Sequence, residues 1–374
     1  MKRYFLVMCL LFSVVLCSCN NGKEVNAEPV AQYTFDKSLS DTYKKHDIIP
    51  YGDMSFNVLG IAGNSIFLKG GYLQIGNCES LNITSDFTFS TWLNINDFTS
   101  YNPILLGNES RSGDPAGGPL NIYFTDDYTS LQCDITFVTY TNEYKSHSFI
   151  AKDVTSKDIL KKQWRHFAVT LDENVLKMFL DGNKIYDQTL PEDFGRFKAI
   201  ATNSKPYTFG RSIYSNFNGS LDDILLYNYP LSEDNIKEIY QGKMSAYKNV
   251  LSFKKYSPEI VHNQQKLTLS APITENYSGA SVIIPVKAFC DVIGAELIWD
   301  GADGLGRIDI KINNHNSSFW ILNSNASYDG MHTKIEPYPE TISDIAYVPL
   351  NAFVESIGGV VLYNPTDETY NLYY

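Results

Sequence analysis

The sequence predicts a mainly β protein in which a β-sandwich is followed by a small α+β domain. Between residues 29 and 241, many short segments alternate apolar and polar residues, with turn signals between them and almost no helical period. Such a series of short strands is typical of an all-β sandwich. Beyond residue 258, a strand–helix–strand pattern occurs twice, and its matching prolines, Pro285 and Pro349, lie 64 residues apart. Short helices between strands indicate an α+β domain built from an internal repeat.

The stretch 217–240 predicts the element that closes the sandwich. Its first half alternates apolar residues and ends at Pro230, which lacks the amide that a central strand needs. A short helix should then begin at Ser232, a good N-cap, and stop at Gly242. Upstream strands are predicted at residues 72–76, 86–94, 120–124, 131–140, 164–171 and 175–180.

Several of these segments resemble the laminin-G-like branch of the concanavalin-A-like lectin/glucanase domains. The closing motif Gly-x-Leu-Asp-Asp-Ile-x-x-Tyr-Asn-x-x-Leu-Ser occupies residues 219–232, and the first strand is similar at residues 30–36. The central strand at 87–93 and the hairpin formed by 164–170 and 176–182 also resemble that family. The resemblance implies a concanavalin-A-like jelly-roll β-sandwich, which we place at residues 29–241.

The repeated segment resembles the stalk domain that is also called the copper amine oxidase N-terminal-like domain. Residues 284–300 align with residues 348–364, and each unit has a proline before its helix and a glycine after it. We place this domain at residues 258–374, after a linker at 242–257, and expect its two helices to cover a sheet built from both units. The resemblance implies no copper chemistry, because this domain is not the catalytic one in the parent enzymes. No copper is therefore expected.

The N-terminus predicts an exported lipoprotein. Two cations, Lys2 and Arg3, precede an apolar run at residues 4–16, and the run ends in Leu-Cys-Ser-Cys. This ending resembles a bacterial lipobox, which implies a signal peptide at 1–18, lipidation of Cys19 and a tether at 19–28. The protein would then be lipid-anchored at the cell membrane and face outside. The alternative is a plain secretory signal or an uncleaved anchor.

Composition excludes nucleic acid as a partner. The chain has 30 Lys and Arg residues against 42 Asp and Glu residues, a formal net charge of −12, and no cluster of cations that would neutralise phosphates. Besides Cys19, only Cys78, Cys133 and Cys290 follow the predicted signal peptide. Free thiols are the favoured state, and a disulfide between Cys78 and Cys133 is the alternative.

The sequence contains no catalytic motif that we would expect of an enzyme. Some concanavalin-A-like glucanases carry Glu-x-Asp-x-Glu on one strand, but no Glu in this chain is followed two residues later by Asp. Asp222 and Asp223 are adjacent, so a regular strand would point them to opposite faces. We therefore expect a non-catalytic protein. A glycoside hydrolase with an atypical carboxylate pair is the third-ranked function.

Calcium is the candidate cofactor. The resemblance implies that laminin-G-like and pentraxin-like domains often hold Ca²⁺ in loops, with carboxylates and backbone carbonyls as ligands. Asp36 and Asp41 lie in the first loop, and Asp222 lies in the closing motif. The alternative is that Asp36 and Asp222 only accept hydrogen bonds from loop amides.

Aromatic residues in loops are the candidate ligand contacts, since sugar rings stack on aromatic side chains. They are Tyr101, Tyr128, Tyr140, Tyr144, Tyr214 and Phe217. Trp92 and Trp164 lie in predicted central strands and are interpreted as core residues. The leading function is binding of an envelope or extracellular glycan at the cell surface. A structural or protein-interaction role at the envelope, with no sugar site, is the main alternative.

Overall fold

The computed structural model describes residues 28–374 apart from residues 77, 99–103, 109–117, 126, 204, 212–215, 280, 301–305 and 365–366. The predicted signal peptide, Cys19 and most of the predicted tether therefore lie outside the described residues. Within the described part of the chain, no helix has the length and apolar composition needed to cross a membrane. Cys78, Cys133 and Cys290 are free thiols there, as the favoured prediction stated.

The N-terminal domain is built from strands β1 to β16. Their bounds are β1 (Ala31–Tyr33), β2 (Ile48–Tyr51), β3 (Met54–Leu59), β4 (Asn64–Lys69), β5 (Tyr72–Ile75), β6 (Phe87–Ile95), β7 (Ile104–Gly107), β8 (Leu120–Phe124), β9 (Leu131–Thr139), β10 (Tyr144–Ala151), β11 (Trp164–Asp172), β12 (Val175–Leu180), β13 (Asn183–Thr189), β14 (Phe197–Ile200), β15 (Thr208–Phe209) and β16 (Asn218–Tyr227). Short 3₁₀ turns occur at Cys78–Leu81 and Glu192–Phe194.

These strands form two antiparallel sheets that pack face to face. The first sheet has the order β13-β12-β11-β6-β16-β4-β3, with β1 also paired to β16, and the second has the order β10-β9-β8-β7-β15-β5-β2, with β14 paired to β9. Their inner faces share one core, in which Phe167 of the first sheet meets Phe124 of the second with ring centroids 5.0 Å apart. The predicted jelly-roll sandwich is confirmed.

Strand β16 is buried on both faces, although its alternating sequence predicts a half-buried strand. Its inner residues, such as Ile224, belong to the sandwich core. Its outer residues Leu225 and Tyr227 pack against Ile236, which belongs to the helix that follows. The strand is thus covered from both sides, and this explains why it can lie in the centre of the first sheet.

The helices are α1 (Lys157–Leu160), α2 (Glu233–Met244), α3 (Val286–Ile293) and α4 (Leu350–Ser356). The predicted N-cap of α2 is confirmed, because the Ser232 hydroxyl accepts a hydrogen bond of 3.2 Å from the backbone N–H of Asn235. The helix continues to Met244, so Gly242 does not end it. The two residues beyond Gly242 bring Met244 into contact with Val360 and Leu362 of the second domain.

The C-terminal domain is built from strands β17 to β30. Their bounds are β17 (Val250–Lys254), β18 (Glu259–His262), β19 (Gln265–Thr268), β20 (Thr274–Glu275), β21 (Val282–Pro285), β22 (Glu296–Asp300), β23 (Arg307–Ile312), β24 (His315–Trp320), β25 (Asn325–Tyr328), β26 (Met331–Lys334), β27 (Glu340–Ile342), β28 (Ile345–Pro349), β29 (Val360–Asn364) and β30 (Thr369–Tyr373). They form three small sheets with the orders β19-β18-β17-β30-β29, β20-β21-β28-β27 and β22-β23-β24-β25-β26.

The two repeat units join in one domain, as the sequence predicts. Strands β21 and β28 pair with each other, so that Ile284 lies opposite Val348. The helices that follow meet through Phe289 and Phe353, whose ring centroids are 6.0 Å apart. The repeat position of Trp299 would suggest a core residue, but Trp299 lies outside this core, on the edge strand β22, and is 52% exposed.

The predicted linker at 242–257 is not only a linker. It includes the last turn of α2 and all of β17, which lies between β18 and β30 in a sheet of the second domain. The two domains also share a cluster of buried side chains. It contains Trp92 and Trp164 of the sandwich, Met244 of α2, and Val360 and Leu362 of β29. Trp92 and Trp164 are therefore buried between the domains and not in the sandwich core.

Candidate functional site

The outer face of the first sheet is occupied by the chain itself. Arg165 is buried there and forms an ion pair of 2.5 Å with Asp181. Its guanidinium also donates a hydrogen bond of 2.6 Å to the backbone carbonyl of Tyr363 in the second domain. His166 is fully buried beside them and lies 2.8 Å from the Ser90 hydroxyl, and burial lowers its pKa to about 3. The central part of this face is therefore buried under α2 and the second domain.

The outer face of the second sheet presents polar side chains from three neighbouring strands. Alternate residues of these strands, such as Ile122, Cys133 and Phe149, point into the core, so the residues between them point outward. We call this surface the β8–β10 face. Its polar outward residues are Asn121, Tyr123, Gln132, Asp134, Thr136, Tyr144, Ser146 and Ser148, and its apolar outward residues are Val138 and Ile150.

Hydrogen bonds fix the polar groups of the β8–β10 face. The Tyr123 hydroxyl donates to one carboxylate oxygen of Asp134 at 2.6 Å, and the Gln132 amide donates to the other at 2.8 Å. The hydroxyls of Thr136 and Ser146 lie 2.9 Å apart on the two neighbouring strands. An ionised carboxylate has about four acceptor positions. Asp134 is therefore held in place and can still accept hydrogen bonds from a ligand.

Exposed tyrosines border this face where β9 turns into β10. Tyr144 is 49% exposed and Tyr140 is 65% exposed, and the guanidinium carbon of Arg196 lies 5.7 Å from the centroid of the Tyr140 ring. Both residues were predicted as ligand contacts from their place in a loop. The structure brings them together on one hairpin, and contact with a ligand remains a prediction.

Two other predicted ligand contacts are buried. Tyr128 is 1% exposed and packs against Phe98 and Phe124, and Phe217 is 1% exposed in the sandwich core. The expectation that they stand in open loops is wrong, because each loop folds its aromatic ring inward to complete the core. Tyr101 and Tyr214 lie outside the described residues.

An open depression of about 520 Å³ lies at the end of the β8–β10 face, next to Ile150 in the last part of strand β10. Charged side chains of Asp127, Lys152 and Asp153 line it. Three hydrogen bonds to the carboxylate hold the pKa of Asp127 below its usual value. The largest effect comes from the Thr125 hydroxyl, and smaller effects come from the amide and the hydroxyl of Thr129. Asp127 therefore stays ionised in mildly acidic solution.

The opposite end of the second sheet carries a separate aromatic stack. Tyr51 of β2 and Tyr72 of β5 stack with ring centroids 4.9 Å apart, and the guanidinium of Arg211 lies 4.9 Å from the centroid of Tyr72. Four strand spacings separate β5 from β9 in the sheet order, or about 19 Å. The stack is thus a distinct patch from the β8–β10 face.

Two of the predicted calcium ligands hold one loop by its amides. Asp36 accepts a hydrogen bond of 2.9 Å from the N–H of Asn64, and Asp222 accepts one of 3.0 Å from the N–H of Ile61. Glycine is needed in this loop, because a Cβ at Gly60 would lie 2.3 Å from the Asp222 carboxylate and one at Gly63 would lie 2.0 Å from that of Asp36. The loop backbone therefore fills the space beside both carboxylates.

The third predicted ligand, Asp41, caps another turn. It accepts hydrogen bonds from the backbone amides of Gln32, Lys45 and His46 at 2.9 to 3.3 Å. Among the described residues, no three His, Cys, Asp or Glu side chains form a group that could hold a metal ion. The carboxylates of Asp36 and Asp222 make the amide contacts that the alternative to calcium describes. Calcium binding remains an untested prediction.

Sequence reasoning missed the network around Asp134. Its signal was present, because in β9 the polar residues Gln132, Asp134 and Thr136 alternate with the apolar residues Leu131, Cys133, Ile135 and Phe137. What the sequence does not contain is the partner: Tyr123 reaches Asp134 only because β8 and β9 pair with Asn121 opposite Asp134.

The fold thus defines a two-domain β protein. The second domain packs on the outer face of the first sheet, and the outer face of the second sheet is polar. Comparison with known families identifies the domains. Residues 67–237 match the family model of the concanavalin A-like lectin/glucanases superfamily, and residues 260–372 match that of the copper amine oxidase N-terminal domain.

Similar solved structures are distant in sequence. The binding domain of Paraclostridial Mosquitocidal Protein 1 is 13% identical, with a TM-score of 0.50 over 93% of this chain and 97% of that one. Domain 4 of AbnA, a GH43 extracellular arabinanase from Geobacillus stearothermophilus, in complex with arabinotriose, is 18% identical and has a TM-score of 0.44 over 57% of this chain and 98% of that one. The binding domain of botulinum neurotoxin DC, in complex with rat synaptotagmin II, is 14% identical, with a TM-score of 0.47 over 92% of this chain and 81% of that one. These similarities concern the fold.

Proposed function

We propose that the protein binds carbohydrate on the β8–β10 face and does not cleave it. One observation carries this proposal. Of the two outer faces of the sandwich, one packs against α2 and the second domain. The other presents the fixed network of Tyr123, Gln132 and Asp134, and the exposed ring of Tyr144 lies on the same face, four residues along the strands from Asp134.

The chemistry of this face suits a sugar. Sugar hydroxyls both donate and accept hydrogen bonds, and a fixed carboxylate with amide and hydroxyl neighbours can meet them with little loss of side-chain entropy. Sugar rings also have apolar faces formed by C–H groups, which pack on aromatic rings such as those of Tyr144 and Tyr140. A few placed polar groups beside aromatic surface are typical of ligand sites.

The proposal of binding without hydrolysis follows from the charges on the face. Glycosidases of the common type need two carboxyl groups about 5 to 9.5 Å apart on either side of the scissile bond. Asp134 is the only carboxylate among the described outward residues of β8, β9 and β10. Analysis of products after incubation with any bound oligosaccharide checks this part of the proposal, since release of shorter chains contradicts it.

A glycan array tests the binding itself. We expect the protein to retain at least one glycan class, and Tyr144→Ala to weaken that binding by about 1–2 kcal/mol, roughly five- to thirtyfold, through loss of the stacking surface. Tyr277→Ala is the matched control, because Tyr277 is a fully exposed tyrosine of the second domain. Binding that survives Tyr144→Ala unchanged, or that falls equally in the control, contradicts the assignment of the face.

A protein-interaction role is the second candidate, and one observation favours it. The second domain exposes large apolar side chains, with Leu322 at 65%, Met331 at 70% and Trp299 at 52% exposure. Exposed apolar groups of this size occur at protein contacts. An array on which no glycan is retained favours this candidate over the first.

We also propose that the protein is lipid-anchored at the cell surface through Cys19. The Leu-Cys-Ser-Cys ending of the N-terminal apolar run supports this, since the last thiol is the acceptor in a lipobox. Several acyl chains on one residue hold a protein to a membrane far more firmly than one chain does. Cys19→Ser should release the protein into the medium or leave an unprocessed precursor. Recovery of a mature-length Cys19→Ser protein with the membranes contradicts the anchor.

A further inference from the structure

We infer that the β8–β10 face selects uncharged or amino-bearing glycans and rejects acidic ones, with Asp134 as the residue that sets this preference. The inference rests on the proposed function and adds the substrate class. It follows from which charged groups the fold places on the face and which it holds away from it.

Asp134 lies at the centre of the face. It is opposite Asn121 on β8 and opposite Ser148 on β10, so it can be reached by a ligand that crosses the three strands. Among the described outward residues of these strands, no lysine or arginine accompanies it. The two hydrogen bonds that it accepts come from the neutral groups of Tyr123 and Gln132. None of the described outward residues of the three strands therefore neutralises its negative charge.

The residues that line the depression at the end of β10 also carry a net negative charge. Asp127 and Asp153 line it with a single cation, Lys152. Hydrogen bonds from Thr125 and Thr129 favour the ionised form of Asp127. A ligand that extends from the face into the depression thus meets more negative than positive charge.

The cations of the nearest strands lie away from Asp134. Lys198 is exposed on β14 and lies beside Val138 and Thr139 of β9, four residues or about 13 Å along that strand from Asp134. The ammonium group of Lys145 donates to the backbone carbonyl of Phe194 at 3.0 Å, and Lys145 alternates with the outward residues Tyr144 and Ser146. Arg196 lies over Tyr140, six residues along the chain from Asp134, or about 20 Å in an extended strand. Arg211 lies about 19 Å away at the other end of the sheet. All three distances exceed the Debye length of about 8 Å at physiological ionic strength.

The size of the preference follows from Coulomb's law. A sugar carboxylate bound about 4 Å from Asp134 would be disfavoured roughly fivefold if water screens the pair fully, and several hundredfold at the effective dielectric of a protein surface. A sugar ammonium group in the same place would bind more tightly, because the Asp134 carboxylate attracts it. A neutral hydroxyl would donate a hydrogen bond to Asp134 with neither charge repulsion nor charge attraction.

The test compares matched oligosaccharides on the purified protein. Each neutral chain is paired with one in which a single hexose is replaced by its uronic acid, and each N-acetylated amino sugar with its free amine. We expect the acidic partner to bind at least fivefold more weakly than the neutral one at low salt. This difference in affinity between the neutral and the acidic chain should become smaller at high salt. It should also become smaller in Asp134→Asn, which keeps the size of the side chain and removes its charge.

Asp187→Asn is the control, because Asp187 is an exposed carboxylate on β13 of the other sheet. It should leave the ratio of neutral to acidic binding unchanged. The double variant Asp127→Asn/Asp153→Asn should reduce the difference in affinity less than Asp134→Asn does, and it provides a second measurement if Asp134→Asn does not fold.

The outcomes separate the two proposals. Acidic chains that bind as well as their neutral partners, or a ratio that neither salt nor Asp134→Asn changes, overturn the charge preference and leave carbohydrate binding intact. Absence of binding to every oligosaccharide overturns the proposed function, and the charge preference with it.

Discussion

Replacing Phe353 with alanine should lower the free energy of unfolding of the C-terminal domain by about 3–5 kcal/mol. Phe353 is fully buried, and its ring meets that of Phe289 from the other repeat unit in an edge-to-face contact. The truncation removes apolar contacts from both units at once and leaves a cavity between them. Because β21 and β28 pair across the units, neither unit can keep its sheet when the other unfolds.

Denaturant unfolding followed by tryptophan fluorescence and by amide dispersion in NMR measures this effect. Unfolding of the second domain should uncover Trp92 and Trp164 and shift the fluorescence to the red, while the sandwich core keeps its amide dispersion. Phe289→Ala should behave alike, and Tyr277→Ala, at a fully exposed position, should change stability by about 0.5 kcal/mol or less. A loss below about 1 kcal/mol for Phe353→Ala would falsify the view that the two units share one core.

Replacing Asp181 with alanine should lower the free energy of unfolding by about 3–5 kcal/mol, because it leaves a buried arginine without a counter-charge. Arg165 is 2% exposed and has its guanidinium 2.5 Å from Asp181. The same guanidinium donates to the carbonyl of Tyr363, so the loss acts on the contact between the domains as well as on the sandwich. Asp181 also accepts a hydrogen bond of 3.0 Å from the N–H of His166, which the substitution removes.

The surface ion pair of the neighbouring strand is the matched control. Lys184 and Asp187 are 2.8 Å apart and more than one third exposed, so Asp187→Ala should cost less than about 1 kcal/mol. The double variant Arg165→Met/Asp181→Leu removes both buried charges and should be more stable than Asp181→Ala alone. If Asp181→Ala and Asp187→Ala prove equally mild, the buried pair does not stabilise the domain contact.

Much of the fold could be predicted because it depends on local patterns. The closing motif at 219–232 has an apolar alternation, a proline and an N-cap serine, and each of these acts within a few residues of chain. The repeat spacing of 64 residues also predicted that the two strand–helix units would join. Local chemistry was enough to identify both domains.

The candidate site could be predicted only in part. The hairpin turn predicts exposure of Tyr140 and Tyr144, since turns lie at the surface. It does not reveal that Tyr128 and Phe217 fold back into the core, because a loop sequence says nothing about the space beneath it. Asp134 was missed for a related reason, since its partner Tyr123 belongs to another strand.

The sequence by itself determined which segments become strands and helices, which of their faces are apolar, and how the repeat units correspond. These properties follow from alternation, caps and breakers along one stretch of chain. Only the tertiary structure decided that Trp92 and Trp164 are buried between the domains, that β17 leaves the predicted linker to join a sheet, and that the second domain packs on the first sheet of the sandwich. Alternation shows that a strand has two faces, but the element that covers each face comes from a distant part of the chain.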